Sequence, residues 1–322
     1  MKHNLSWHKP LAILALTSLA WLSPQGQEAK ANPIAQISPG NAVIDLVVPP
    51  PQTPRSRPVA PPPRATSGSI SIPVPPPESR ARVGICPNFL EPAISSVIDN
   101  PRFAKGKWGV LIESVDDRRT FYSRNANSLL VPASNIKLLT TAAALQRLDP
   151  ATSIRSKSLW QWLQETNQRS NNSYADVLLR YIGGTSAVKQ ALGQLGISPN
   201  GYRQVDGSGL SRQNLATPAT LVSVLQAMYR DREREIFYKS LPIAGVSGTL
   251  RSRLRYSSTR GRVHAKTGTL RGVKSLSGYL EHPQYGTIVF SIMVNQGNQS
   301  GGTLAGAIDE IVLRTAQLTP CD

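Results

Sequence analysis

Two short apolar-rich stretches, Lys107 to Ser114 and Thr120 to Ser123, flank Asp116-Asp117 and predict a pair of strands joined by a turn. The run Leu138 to Leu145 that follows is apolar nearly all round. A helix of that pattern leaves no face for water and is expected to be buried; its start is read at Ser134. By contrast Val188 to Leu195 keeps charge and glutamines on one face, as a surface helix does, and from Ser134 to about Tyr238 nearly everything periodic is helical. Farther on, Arg262 to Thr269, Lys274 to Leu280 and Thr287 to Asn295 read as an antiparallel meander turning at Arg271-Gly272 and His282-Pro283. Leu304, Ile308, Ile311, Val312 and Thr315 then repeat at helical spacing. The predicted sheet is therefore split, with two strands before a helical insertion and three after it.

The first eighty residues follow neither period. Lys2 and Lys9 precede a short apolar stretch, Leu11 to Leu22, and Ala29-Lys30-Ala31 offers a small-x-small cleavage site, so residues 1–31 read as a secretory signal. The apolar stretch falls short of the roughly 20 residues that span a bilayer. The protein is expected to be exported, to a periplasm or other extracytoplasmic space, and to be membrane-associated if the signal stays uncleaved. Residues 32–83 hold 14 of the chain's 26 prolines and read as a disordered Pro-rich tether, able in extended polyproline conformation to span on the order of 100 Å. Residues 84–322 are left as one domain with a substantial core.

Only two cysteines occur, Cys86 and Cys321, at the two ends of that domain. In an exported protein this placement suggests a disulfide clamping the terminal helices. Net charge is +17, and loss of Lys2, Lys9 and Lys30 against Glu28 with the signal leaves +15. Export turns that surplus away from nucleic acid and toward an anionic wall or membrane surface, or simply toward solvent.

Three motifs occur in order: Ser134-Asn-Ile-Lys137, Ser170-Asn-Asn172 and Lys266-Thr267-Gly268-Thr269. Ser-x-x-Lys also occurs at Ser6 and Ser186, and Ser-x-Asn at Ser123 and Ser198, so context must choose. The buried helix selects Ser134. Three residues apart on a helix, Lys137 reaches Ser134 and could take its proton if burial and a nearby cation such as Lys266 strip its own charge. Ser170 could relay a proton to a leaving amine, and Asn172 could hold a substrate amide, although such a pair also serves as a helix cap. Lys266 supplies fixed positive charge. The hydroxyls of Thr267 and Thr269 can bind a terminal carboxylate, Gly268 lets a substrate backbone approach, and the Thr269 N–H is a candidate oxyanion donor. Beyond the signal only His264 and His282 remain, in no nucleophile context; neither a histidine triad nor a metal site is expected, and no cofactor.

With these motifs placed, the chain resembles the D-alanyl-D-alanine carboxypeptidases and endopeptidases of the class C low-molecular-mass penicillin-binding proteins. Leu130-Val-Pro-Ala-Ser134, Asp206-Gly-Ser-Gly-Leu-Ser-Arg212, Leu241-Pro-Ile-Ala-Gly245 with Gly248-Thr-Leu250, and Ala265 to Leu270 carry the likeness. The resemblance implies an α+β fold (an α/β sandwich) of β-lactamase/transpeptidase type, a five-stranded antiparallel sheet packed by helices. It also implies Ser134 as nucleophile, peptidoglycan stem peptides ending in D-Ala-D-Ala as substrates, and β-lactam antibiotics as covalent inhibitors.

The family usually carries extra domains between the first two motifs, whereas Ser134 and Ser170 are only 36 positions apart. That departure opens the question of substrate size and of endopeptidase activity. Two alternatives are a serine β-lactamase, for which no Glu-x-x-x-Asn follows the second motif, and a non-catalytic peptidoglycan-binding module. The stretch Asp206 to Arg212 reads only as a turn-rich loop.

Overall fold

The computed structural model describes residues 84–321. The predicted signal, 1–31, and tether, 32–83, lie outside the described residues. In chain order the elements are helix α1 (Pro87–Ile98), strands β1 (Lys107–Ser114) and β2 (Thr120–Arg124), a 3₁₀ turn (Ala133–Ile136) and helix α2 (Lys137–Arg147). A two-residue ribbon, β3 (Ser153–Ile154) with β4 (Lys157–Ser158), precedes α3 (Leu159–Asn167), α4 (Asn172–Tyr181) and α5 (Gly184–Gln194). A second ribbon, β5 (Tyr202–Arg203) with β6 (Leu215–Ala216), leads to α6 (Pro218–Arg230) and α7 (Arg234–Lys239). The chain closes with β7 (Val263–Leu270), β8 (Val273–His282), β9 (Gly286–Asn295) and α8 (Gly301–Thr315).

The five long strands form one antiparallel sheet in the order β2-β1-β9-β8-β7. The last strand thus sits at the centre, pairing the early hairpin with the late meander. Side chains on successive residues point to opposite faces, and both faces are covered. Val110, Ile112, Phe290 and Ile292 pack toward α1 and α8, while Leu111, Tyr279, Val289 and Met293 pack toward the layer containing α2 and α6. That is why β8 and β9 are buried almost throughout instead of alternating between buried and exposed positions.

Every residue from Lys137 to Leu145 is buried, in keeping with the all-round apolar run. The helix begins one turn later than the sequence reading, because Ala133–Ile136 closes as a 3₁₀ turn with Ala133 in the left-handed region at φ 47°. Ser186 and Lys189 lie exposed on α5. The two ribbons escape the sequence reading, since two-residue strands have no period to detect. Cys86 at the start of α1 and Cys321 beyond α8 are disulfide-bonded, and a parallel bridge from Ile85 to Leu318 runs beside them.

Candidate active site

The 3₁₀ turn bearing Ser134 is stitched to the centre of the sheet by polar side chains. Ser275 Oγ donates to the Pro132 carbonyl at 2.7 Å, and Asn135 Nδ2 donates to Ser277 Oγ at 2.7 Å. Asn295 Oδ1 accepts the Val131 N–H at 2.7 Å while its amide donates back to the Val131 carbonyl at 3.0 Å. The turn also presses on Gly268. A Cβ there would lie 2.0 Å from Ser275 Oγ and 2.6 Å from the Pro132 carbonyl oxygen. In this structure the close approach that Gly268 permits is that of the Ser134 turn, a contact the sequence reading did not anticipate.

Lys137, the first residue of α2, is fully buried, and its ammonium has three acceptors. It donates to Ser134 Oγ at 3.0 Å, to Asn172 Oδ1 at 2.8 Å and to the Ser208 carbonyl. Burial pushes its pKa down to about 8, against the opposing attraction of Asp176 and Asp206. The nearby Lys266 cation that the sequence reading invoked is coupled to Lys137 by mutual repulsion. Burial holds Lys266 well below the usual lysine range, and the charge of Lys137 lowers it further.

A neutral Lys137 has two hydrogens and one lone pair. Asn172 Oδ1 and the Ser208 carbonyl can accept the two hydrogens, which leaves the lone pair facing Ser134 Oγ. Such an amine can accept the serine proton.

Lys266 extends from β7 to donate to Ser170 Oγ at 2.8 Å and to the Thr267 carbonyl at 2.9 Å. Ser170 occupies the left-handed region, φ 57°, in the link between α3 and α4, where a side chain is aimed at some backbone expense. The helix cap that the second motif suggested is made by Asn171, whose Oδ1 accepts the Tyr174 N–H. Ser170 and Asn172 are thereby left for Lys266 and Lys137.

β7 is an edge strand, and its peptide groups alternate in direction. Ala265 donates to the Pro242 carbonyl and Val263 accepts from the Ala244 N–H, so odd-numbered residues face away from β8. By that alternation the Thr269 N–H lies on the outer edge, where an oxyanion donor belongs. The two threonine hydroxyls already have neighbours. Thr267 Oγ1 lies 2.7 Å from Thr249 Oγ1, and Thr269 Oγ1 accepts from Lys274 Nζ at 2.9 Å. The hydroxyl hydrogen of Thr269 stays free to donate to a carboxylate, with the Lys274 charge beside it.

Sequence reasoning missed Asp176, the Ser208 carbonyl, Thr249 and Lys274. The Asp206 to Arg212 stretch is the turn-rich loop expected, but it lies against the site. Asp206 carboxylate oxygens accept the N–H groups of Gly209 at 2.5 Å and Ser211 at 2.7 Å. An aspartate followed by small turn residues is the signal for such a turn. Asp176 lies one helical turn beyond Asn172, but that spacing alone does not single it out. His264 stacks on Tyr238 at 4.3 Å and His282 Nδ1 accepts the N–H groups of Gln284 and Tyr285, so neither joins the site. Among the described residues no group of three or more potential metal ligands is found.

A buried lysine on a serine hydroxyl beside a second lysine–serine pair, on a helix-packed antiparallel sheet, has the parts that serine acyl transfer requires. The chain matches the sequence model of the D-Ala-D-Ala carboxypeptidase 3 (S13) family over residues 90–155 and 151–317, and it belongs to that family. It is 35% identical over 180 residues to the penicillin-sensitive carboxypeptidase A of Dictyostelium discoideum, covering 49% of this chain and 34% of that protein. To a D-alanyl-D-alanine carboxypeptidase of Actinomadura sp. (strain R39) it is 40% identical over 164 residues, 46% of this chain and 30% of that one. The chain spans about a third of the length of these curated relatives. Among solved structures the fold is shared with penicillin binding protein 4 (dacB) from Haemophilus influenzae, at TM-score 0.60 and 16% identity, covering 69% of this chain and 98% of that one. It is shared equally with the TLA-1 extended spectrum β-lactamase, at TM-score 0.59 and 18% identity, covering 72% and 98%.

Proposed function

We propose that this protein is an exported serine D-Ala-D-Ala carboxypeptidase that acts on peptidoglycan stem peptides through an acyl-enzyme on Ser134. The observation that carries the reading is the hydrogen bonding of Lys137, whose Nζ lies 3.0 Å from Ser134 Oγ with two further acceptors for its hydrogens. Neutral Lys137 takes the Ser134 proton as Oγ attacks the carbonyl carbon of the penultimate residue. Negative charge on the carbonyl oxygen falls to the N–H groups of Ser134 and Thr269. The C–N bond then breaks as Ser170 gives its proton to the departing amine of the terminal D-alanine and takes in exchange the proton that Lys137 gained, with Lys266 holding Ser170 in place. Water then attacks the ester while neutral Lys137 takes a proton from it, and Lys137 returns that proton to Oγ as the acid leaves. Thr267, Thr269 and Lys274 bind the substrate's terminal carboxylate.

A β-lactam would open on the same serine and leave slowly. The two carboxylates near Lys137, Asp176 and Asp206, each accept N–H groups of the loop and so serve to hold it. Export rests on the pattern of residues 1–31. The exposed Arg251, Arg255, Arg260 and Arg262, which have no acidic partner among the described residues, support retention on an anionic wall or membrane surface.

The test is to incubate the protein with labelled penicillin and with a peptide ending in D-Ala-D-Ala, beside Ser134→Ala. The expected result is a stable adduct on Ser134 and release of one D-alanine, both absent from the variant. Wild-type protein that neither labels nor releases alanine would refute the reading.

A further inference from the structure

Lys137 has an acceptor outside the three catalytic-type motifs, the carbonyl of Ser208 in the Asp206 to Arg212 loop, and Ser134 Oγ donates to the same oxygen at 3.4 Å. One backbone carbonyl thus touches both members of the pair. A carbonyl in a loop is only as well placed as the loop. This loop is held from α4, where Asp176 sits four residues after Asn172 and so on the same face of the helix.

A single carboxylate oxygen of Asp176 accepts two successive N–H groups, those of Gly207 and Ser208, each at 2.9 Å. Asp206 closes the turn from inside, accepting from Gly209, Ser211 and Asn214 Nδ2. The loop is also clamped sterically. A Cβ on Gly207 would lie 2.3 Å from the Ala175 carbonyl oxygen, and one on Gly209, at φ 85°, would lie 2.1 Å from that of Ala133. The turn is therefore wedged between α4 and the Ser134 turn, and Ser208 itself is 1% exposed.

We propose that Asp176 is a positioning residue for Lys137: through the Gly207–Ser208 peptide it fixes the carbonyl that, with Asn172 Oδ1, orients the Lys137 amine toward Ser134. Asn172 and Asp176 act as a pair from one helix face, the first touching Lys137 directly and the second through a backbone carbonyl. The assignment rests on the acyl-enzyme reading above and deepens it.

The charged groups facing Lys137 are Asp176 from α4, Asp206 from the loop and Lys266 from β7. The two carboxylates hold the ammonium form, so removing either charge frees the amine at lower pH. Hydrogen bonding and charge separate cleanly at Asp176, because both N–H groups fall on one oxygen. Asp176→Asn keeps that oxygen and loses the charge; Asp176→Ala loses both.

The experiment measures the second-order rate of acylation by a fluorescent penicillin between pH 5.5 and 9.5 for wild type, Asp176→Asn and Asp176→Ala, with thermal unfolding recorded for each. Asp176→Ala is expected to lower the high-pH plateau by tenfold or more. Asp176→Asn is expected to recover most of that loss and to move the acid limb to lower pH, so that it outpaces wild type by threefold or more at the foot of the limb. If Asp176→Ala does not fold, the position of the acid limb in Asp176→Asn decides. An acid limb that stays in place in Asp176→Asn, or an alanine variant within threefold of wild type at every pH, overturns the proposal. Failure of wild type itself to acylate would instead refute the acyl-enzyme reading.

Discussion

Replacing Gly268 by alanine tests whether the third motif is a packing surface for the first. The added Cβ would stand 2.0 Å from Ser275 Oγ and 2.6 Å from the Pro132 carbonyl oxygen, and these two atoms are themselves hydrogen-bonded at 2.7 Å. A methyl group forced into such a contact costs about 1–3 kcal/mol. Losing the hydrogen bond adds about 1 kcal/mol. The sum, about 2–4 kcal/mol, corresponds for a domain of this size to a fall in Tm of roughly 4–16 °C. Relief requires the Pro132 carbonyl to retreat by about 1 Å, and Ser134 is two residues along the same turn. A shift of that size in a reacting group costs on the order of 100-fold in rate. Thermal unfolding and the acylation rate by labelled penicillin read the two effects separately. A variant with unaltered Tm and wild-type acylation would show that Gly268 faces open space and that the reasoning is wrong. A substrate-clearance role alone predicts lost turnover of peptide with no loss of stability.

Further outcomes follow from the same geometry. Because Lys137 must shed its proton to act, wild-type acylation is expected to rise with pH through about 8 and to be about 100-fold below its plateau near pH 6; a flat profile from pH 6 to 9 would exclude Lys137 as the base. Ser170→Ala removes the acceptor of Lys266 and the proton path to the leaving amine, and turnover of a D-Ala-D-Ala peptide should drop by about 10²–10⁴-fold. A drop under tenfold would leave Ser170 without a relay role. Replacing Cys86 and Cys321 together by serine should destabilise the domain by about 2–5 kcal/mol in chemical denaturation, with the acylation rate retained, since α1 and α8 cover the face of the sheet opposite α2. An unchanged denaturation midpoint would mean that the bond does not constrain the unfolded chain.

The parts of the site visible in sequence were those whose chemistry depends on residue type. Ser134, Lys137, Ser170 and Lys266 are legible because few side chains have the chemistry proposed for them, and the all-round apolar run after Ser134 announced a buried helix. Asp176 was not legible. Its role depends on two N–H groups about thirty positions away, and a carboxylate on a helix face reads by itself as a solvated charge. The Ser208 carbonyl carries no side-chain signature at all. Gly268 was correctly singled out as a place of close approach, yet only the packed structure says what approaches it. The strands were legible as elements, while their order was not, because nothing local in Gly286–Asn295 tells β9 to insert between β1 and β8.

The β3–β4 ribbon turns on Arg155 and Ser156, both in the left-handed region, with φ 47° and 64°. The match to the S13 family breaks and resumes at residues 151–155, on this same ribbon. Paired strands hold their backbones about 5 Å apart, so the chain leaves and re-enters the domain at nearly one point. Ser134 and Lys137 lie before that point and Ser170 and Asn172 after it, joined by direct packing of α2 on α3 and α4 without help from the connecting chain. The ribbon is in effect a splice junction: a module whose ends lie close together could be grafted or excised there while the reacting groups keep their places. Chemistry and reach are separately heritable in such a design.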